Sequence, residues 1–291
     1  MSKIVTKREL APRIKLFEVH APEIAQKAKP GQFLIVMVGE RGERVPLTIC
    51  GYDIKKGTVS FAFNEVGKTT TKLGLLKVGD AIPNLLGPLG NPSEIRKFGH
   101  VLCVGGGVMI APMYLQVQAL RDVGNRVITV IGARIKDLLF FEKEMREAND
   151  EFYVATDDGS KGYKEMNFLK DLLKSKKFDR VVVMGPVVTM KTVSEITKPL
   201  GIPTIVTLTP IMMDGMGMCG VCRVSVGGET KFACIDGPEF DGHNVDYEGL
   251  IKRQRLYLPE ERLSNFLYEK LGGMKVFECK TEASEDKRSS A

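Results

Sequence analysis

No stretch of the 291 residues approaches the roughly 18 consecutive apolar residues of a membrane-spanning helix, so no membrane partner is expected. The first residues, MSKIVTKREL, are positively charged, but no apolar segment follows them and no secretory signal is visible. A cytoplasmic location is the expectation. Charge of one sign is nowhere concentrated. Lys and Arg number 42 against 36 Asp and Glu, a net charge of +6, and the bases are interleaved with acids, as in RELAPRIKLFE and EKEMRE. A nucleic-acid binder would gather its bases into a patch or stripe. The pattern here is a mixed, solvated surface, and no nucleic-acid partner is expected. Internal repeats and low-complexity segments are missing too. What remains, 43% hydrophobic and 27% charged residues, is ordinary for a globular protein. The length exceeds one hydrophobic core and predicts two or three domains.

Cysteine is scarce, with six in the chain, but it is unevenly placed. Cys50, Cys103 and Cys279 are isolated, and the first two, beside apolar residues, read as buried thiols. Cys219, Cys222 and Cys234 share one short segment, which in a cytosolic chain points to metal rather than to disulfides. That segment runs DGMGMCGVCRVSVGGETKFACIDGPEFDGH from Asp214. Its spacing is D-x4-C-x2-C-x11-C, the plant-type [2Fe-2S] spacing with a carboxylate in the place of the first thiolate. Carboxylate can ligate iron, although it is a harder donor. The glycines let the loop fold tightly, and RVSVGGETKFAC predicts a β-hairpin that returns Cys234 to it. A zinc site or three structural thiols are the other readings. Zinc usually takes four N or S ligands, and the nearby candidates beyond these three thiols are His243 and carboxylates.

The rest of the chain changes character once. Through about residue 95, short apolar runs such as QFLIVMV, PLTICGY and TVSFAFNEV alternate with KPG, KKG and VGD, which predicts a small antiparallel barrel. From Gly99 onward, strands alternate with helices: HVLCVGGGV, a helix over IAPMYLQVQALRDVGN, RVITVIGAR, a helix over KDLLFFEKEMREAND, EFYVATDDGS, a helix over NFLKDLLKSKKF, DRVVVMGPV, a helix over TMKTVSEITKPLG, and IPTIVTLT. This predicts a parallel sheet with helices on its faces. The expected division is a barrel over 1–97, an α/β domain over 98–208, a cluster-binding domain over 209–255, and a C-terminal helix with a polar tail, TEASEDKRSSA, over 256–291. Pro259 stands at the start of the helix PEERLSNFLYEKLGG, where a missing N–H costs nothing; the tail, lacking an apolar face, is expected to be frayed.

Gly105, Gly106 and Gly107 fall between a strand and a helix, where a backbone can approach a pyrophosphate at the helix N-terminus. Gly132, Ala133 and Arg134, then Thr156, Asp157, Asp158, Gly159 and Ser160, then Gly185 and Pro186 follow other parallel strands. Ligands of open α/β sheets bind at those carboxyl ends. EVGKTT imitates the end of a phosphate-binding loop, but Ala62 fills the earlier glycine position and no strand–helix junction is present, so a nucleoside triphosphatase is rejected.

The order of these motifs resembles the ferredoxin-NADP reductase superfamily over nearly the whole chain. More narrowly, it is similar to the electron-transfer subunits of dihydroorotate dehydrogenase. It is more similar still to the small subunits of NADH-dependent ferredoxin:NADP oxidoreductase, because aspartate at position 214 resembles that branch while the dihydroorotate branch typically has cysteine there. The resemblance implies FAD on the barrel, NAD(H) on the α/β domain, and a [2Fe-2S] cluster held by Asp214, Cys219, Cys222 and Cys234. It places Pro46, Leu47 and Thr48 along the isoalloxazine, with the Thr48 hydroxyl near flavin N5. It places Gly67, Lys68, Thr69 and Thr70 in a pyrophosphate-binding turn, just after Phe63, Asn64 and Glu65, and Ala111 and Pro112 beside the nicotinamide nucleotide. Three positions depart from the superfamily. Val45 stands where arginine is usual, with Arg44 one place earlier; Met109 replaces a usual glycine; and Met184 replaces a cysteine common in relatives. The implied function is electron transfer between NAD(H), FAD and the cluster. The implied partner is a larger subunit with a second FAD, [4Fe-4S] clusters and an NADPH site, through which ferredoxin takes part in bifurcation. The rival readings are a dihydroorotate dehydrogenase subunit and, in another class, a zinc-stabilised binding module.

Overall fold

In the computed structural model, residues 2–39 and 42–270 are described. Cys279 and the polar tail lie outside them. The chain divides after Leu256. The second unit contains one described helix, Leu258–Lys270, with Pro259 in its first turn.

In the first unit, the alternating N-terminal segments pair as predicted. Strands β1 (Ser2–Ala11), β2 (Ile14–His20), β3 (Phe33–Met37), β4 (Arg44–Asp53), β5 (Thr58–Asn64), β6 (Ala81–Ile82) and β7 (Asn84–Leu89) form one antiparallel sheet in the order β6-β1-β2-β5-β4-β3-β7. It curls into a nearly closed barrel. Its interior is filled by Phe17, Phe61 and Phe63 with Ile4, Val19, Leu34 and Ile49. Phe17 meets Phe63 edge-on at 5.0 Å between ring centroids, a geometry that adds about 1 kcal/mol beyond the burial itself. Two short helices interrupt the strands, α1 (Pro22–Ala25) and α2 (Lys68–Leu75).

The second sheet has the order β11-β10-β9-β8-β12-β13-β16, the last being Glu239–Asp241. It contains β8 (His100–Gly106), β9 (Arg126–Ala133), β10 (Glu151–Thr156), β11 (Tyr163–Lys164), β12 (Arg180–Met184) and β13 (Thr204–Thr207), all parallel. Its strands are apolar on both sides because both sides are covered. Leu102, Val104, Val130 and Val183 pack on one face, while Val101, Cys103, Val127, Val182 and Met184 pack on the other. Helices α3 (Ile110–Asp122), α4 (Glu142–Glu147), α5 (Leu169–Ser175) and α6 (Val187–Thr197) flank it. The second face is shared: α3 residues Ile110, Met113 and Val117 pack in one core with Ile14, Leu16, Cys50 and Ala62 of the barrel. That common core fixes the two domains against each other.

One local expectation needs correcting. KDLLFFEKEMREAND is not one helix. Leu139 and Phe140 turn inward and are buried, Phe141 takes a left-handed backbone with φ 59°, and only Glu142–Glu147 is α-helical. Burial of the two large side chains outweighs helical continuity. Glu239–Asp241 forms the edge strand β16 and pairs antiparallel to β13. The predicted hairpin is present as β14 (Arg223–Val226) and β15 (Glu229–Phe232). Gly227 and Gly228 at its tip have φ of 61° and 81°, which a two-residue turn between twisted strands requires. Helix α7 (Tyr247–Gln254) closes this unit.

Candidate functional site: three contiguous ligand regions

The direction of the chain across the second sheet reverses at β8: β9 and β10 continue on one side, β12 and β13 on the other. The carboxyl ends of β8 and β12 therefore border the topological switch point, where open α/β sheets bind ligands. Gly105 and Gly106 end β8, and Gly107 opens a 3₁₀ turn leading into α3. Each glycine has its own reason. Gly107 has φ 57°, a conformation that favours glycine. At Gly106, a Cβ would lie 3.0 Å from Pro186 Cδ, and at Gly185 it would lie 3.3 Å from Gly106 Cα. The Gly106–Gly185 contact lets the two strand ends close. Ala111 and Pro112 are buried in the first turn of α3, while Gly132 and Ala133 end β9.

The neighbouring turn is self-supporting. The Thr156 hydroxyl donates to Lys161 O at 2.9 Å and accepts from Lys161 N at 3.0 Å. Asp158 accepts from Ser160 N, and Ser160 Oγ accepts from Lys136 N, both at 2.9 Å. The Ser160 hydroxyl and N–H hold the Asp158 carboxyl below its usual range. Arg134 O and Ala133 O accept from Asp158 N and Asp157 N. These bonds join the ends of β9 and β10 into one rim, on which Gly159 turns with φ 76°.

Across the shared core stands β4. Pro46, Leu47 and Thr48 pair with Ile35, Leu34 and Phe33 of β3. Leu47 is buried and Arg44 is exposed. The Thr48 hydroxyl lies 3.8 Å from Met109 Sδ, so the strand the resemblance assigns to flavin touches the glycine turn at the switch point. Beyond β5, Gly67 precedes α2, and Thr70 Oγ1 makes hydrogen bonds with Gly67 N and O, both at 3.1 Å. Gly67 is extended, with φ −122°, and a Cβ there would meet nothing. Neither conformation nor packing requires glycine at this helix start. Lys68 lies 3.6 Å from Glu43, and the buried Thr69 donates to the same carboxylate. Phe63 is a core residue, and Glu65 is ion-paired with Lys15 and set against Gly74. Their side chains serve the barrel, and Asn64 ends β5 opposite Ile14. No sequence motif marks Glu43, and the contact of Met109, marked only as a replaced glycine, likewise depends on tertiary pairing.

The cysteine loop sits on the barrel. A Cβ at Gly215 would lie 2.8 Å from both Ile35 of β3 and Leu89 of β7. Its ends are held by α7, where Gln254 Nε2 donates to Thr209 O and Arg253 Nη2 to Val221 O, both at 2.9 Å. Cys222 and Cys234 are buried with their sulfurs 3.3 Å apart, while Cys219 is exposed. Burial, then the Cys222 thiol, pushes the Cys234 thiol up to about 12. Asp214 accepts from Met216 N at 3.0 Å, Met218 N at 2.9 Å and Cys219 N at 2.6 Å. Those N–H groups, Met216 foremost, keep its carboxyl below the usual range. Among the described residues no three potential metal ligands converge. The structure unites the two buried thiols, and it joins Asp214 to Cys219 through the backbone. Chemically the set fits a cationic iron centre: soft sulfur donors, an anionic oxygen donor, and buried thiols that a metal would turn into thiolates. Cys50 and Cys103 are buried as expected, and burial pushes the Cys50 thiol up to about 12.

Residues 209–246 match the family model described as the iron–sulfur cluster binding domain of dihydroorotate dehydrogenase B. A protein of Clostridium beijerinckii described as uncharacterized, in the adh 3′ region, is 48% identical over 90% of this chain and 92% of its own. A Thermotoga maritima homologue of the dihydroorotate dehydrogenase B (NAD+) electron-transfer subunit is 44% identical over 94% of this chain and 97% of its own. Among solved structures, a chain from the study of flavin-based electron bifurcation by an NADH-dependent reduced ferredoxin-NADP oxidoreductase superposes with a TM-score of 0.87. It is 42% identical and covers 93% of this chain and 98% of its own. The ferredoxin-NADP reductase type of architecture, with a segment of the iron–sulfur cluster binding family, is the one the motif order implied, and it is the one present. The chain belongs to the family of dihydroorotate dehydrogenase B electron-transfer subunits and their homologues, a family of oxidoreductase subunits that act within larger complexes.

Proposed function

We propose that this chain is a cytoplasmic NAD(P)H-dependent oxidoreductase subunit, with NADH preferred. It moves electrons between NAD(H), FAD and one [2Fe-2S] cluster, and on to a larger iron–sulfur flavoprotein partner that binds NADPH and deals with ferredoxin. When bound, the flavin supplies conversion between two-electron and one-electron chemistry, and the cluster supplies one-electron transfer. The chain's own residues bind and orient. Gly105–Gly107, Gly185 and Pro186 leave a crevice for the nucleotide, rimmed by Arg134 and Thr156–Ser160. Pro46–Thr48 present β4 to the flavin, with the Thr48 hydroxyl as donor, and Gly67–Thr70 with Arg44 offer N–H groups and charge to its phosphates. Asp214, Cys219, Cys222 and Cys234 hold the cluster.

The observation that supports this reading best is contiguity. One strand pair, β3–β4, contacts the nucleotide turn through Thr48 and Met109 and supports the cysteine loop through Ile35. A zinc-stabilised binding module would have no use for that arrangement. Aspartate at position 214 favours the ferredoxin-linked reading over a dihydroorotate dehydrogenase, while the names of the relatives favour the latter. Purification of the native complex decides between them: a large iron–sulfur flavoprotein partner is expected, and a dihydroorotate-oxidising partner would overturn the choice. Stopped-flow reduction by each nucleotide tests the preference for NADH. A large preference for NADPH would instead mean that Arg134 meets a 2′-phosphate.

A further inference from the structure

One carboxyl outside the ligand regions lies where all three parts of the first unit meet. Glu239, the first residue of β16, accepts the Ser93 hydroxyl at 2.6 Å and the Gln116 side-chain amide at 3.2 Å on the same oxygen, Oε1. Ser93 belongs to the connection between the barrel and the α/β domain, and its N–H donates to Pro30 O at 2.8 Å. In the same connection, Asn91 N donates to Gly237 O at 2.7 Å and Asn91 Nδ2 to Ile235 O at 3.0 Å. Gln116 belongs to α3. Thr207 pairs with Glu239 across β13 and β16, which puts both side chains on one face of the sheet. Ser93, Gln116 and Thr207 are buried, and among the described residues Gln116 Oε1 and Thr207 Oγ1 lack a hydrogen-bond partner.

Counting hydrogens shows what is missing. The Ser93 hydroxyl and the Gln116 amide both already donate to Glu239. The Gln116 carbonyl therefore waits for a donor, and an ionised carboxylate has none to give. A carboxylic acid has one, on Oε2, to give to the Gln116 carbonyl while the Gln116 amide still donates to Oε1. We propose that Glu239 is a neutral, proton-bearing carboxyl and the positioning residue that holds α3, the inter-domain connection and the cysteine-bearing segment in one arrangement. Helix α3 begins at the nucleotide turn, and β16 follows the last cluster cysteine. The relative placement of those two sites therefore passes through this carboxyl.

The electrostatic surroundings agree. Glu239 is half-buried as a whole residue, and loss of water around its carboxyl pushes that group up, against the opposing Ser93 and Gln116 hydrogen bonds. The charged groups facing it are Arg180 of β12, which lowers it, and Glu94 of the connection, which raises it. Those two pair with each other at 3.0 Å. From β8 comes the Cys103 thiol, itself pushed up by burial and then by Glu239. Helix α3 and β13 contribute Gln116 and Thr207, which do not titrate. An acid whose folded-state value is raised stabilises the fold fully below the ordinary carboxylate range, and that contribution is lost as pH rises through the raised value.

The test needs no bound group, so its outcome is separate from that of the proposed function. Thermal unfolding of the full chain is followed from about pH 5 to about pH 8 for wild type, Glu239→Gln and Glu239→Ala, with infrared spectra of the first two at neutral pH. Glutamine mimics the neutral acid. Wild type is expected to fall below Glu239→Gln by a few degrees as pH rises, with the two alike at the acid end. A protonated-carboxyl band is expected in wild type and not in Glu239→Gln, and both results are required. Glu239→Ala is expected to be less stable at every pH, and should it fail to fold, the other pair still decides. A Glu239→Gln protein less stable than wild type throughout, with a gap that widens at higher pH, would overturn the proposal. So would absence of the band, which would mean an ionised carboxylate with bound water as the donor.

Discussion

The two glycine-rich turns of this chain are built on opposite plans. At the switch point, Gly106 and Gly185 pack on each other and Gly107 takes a positive φ between a strand and a helix, so the sheet itself supplies the shape. In the cysteine loop, Gly215, Gly217 and Gly220 also take positive φ, but the turn is tied together by one carboxylate accepting three N–H groups. There the thiols are only half assembled: two are buried together and one is exposed. The switch-point turn is thus shaped by the sheet, whereas the cysteine loop is held by local hydrogen bonds. Metal binding is folding energy in a site of the second kind.

Substitutions can break that contrast, and the largest effect is expected at the buried thiols. Cys222→Ser or Cys234→Ser should abolish iron and sulfide binding, because each removes a soft donor from the assembled pair. FAD should stay bound on the barrel, and cofactor analysis of the purified variants checks both halves. Asp214 comes next. Asp214→Ala should weaken or abolish the cluster, since it removes an anionic donor and leaves the Met216, Met218 and Cys219 N–H groups without their acceptor. Asp214→Cys should retain a cluster with an altered potential, because it restores the four-thiolate spacing. Should Asp214→Ala and Asp214→Asn both behave as wild type in spectra and redox titration, the fourth ligand lies elsewhere and Asp214 is a loop cap alone.

Smaller effects are expected outside the cysteine loop. Gly185→Ala should cost about 1–3 kcal/mol of stability by overpacking, because its Cβ would press on Gly106 from 3.3 Å. Thermal unfolding and NADH titration should both register it. Gly67→Ala is the sharpest contrast. Nothing surrounds the added methyl and the backbone is extended, so stability of the cofactor-free chain should change by less than about 0.5 kcal/mol. FAD affinity should nevertheless fall about tenfold, roughly 1.4 kcal/mol, since only the ligand approaches there. Equal losses in both measurements would make Gly67 a structural residue.

Much of the fold was legible because its signals are local. Alternating apolar runs specified barrel strands, and buried Val and Ile runs ending in glycine specified parallel ones. The hairpin was legible from Gly227–Gly228 alone. What escaped depends on distant pairing. Leu139 and Phe140 break a helix that their sequence supports, because the core accepts them. Strand β16 has three residues and acquires its identity only from β13. Ser93 and Glu239 are 146 residues apart, and no spacing rule could join them. Of the candidate site, the cysteine spacing identified the donor types, but that Asp214 would spend both oxygens on backbone N–H groups required the loop's conformation.

The central claim, that one chain brings flavin, nucleotide and cluster into contact, is tested most directly by anaerobic NADH titration of the purified holoprotein, read by visible absorption and electron paramagnetic resonance. One FAD with about two irons and two sulfides per chain is expected, with flavin bleaching on addition of NADH and the signal of a one-electron-reduced [2Fe-2S] cluster. A colourless protein with stoichiometric zinc and no acid-labile sulfide would contradict it.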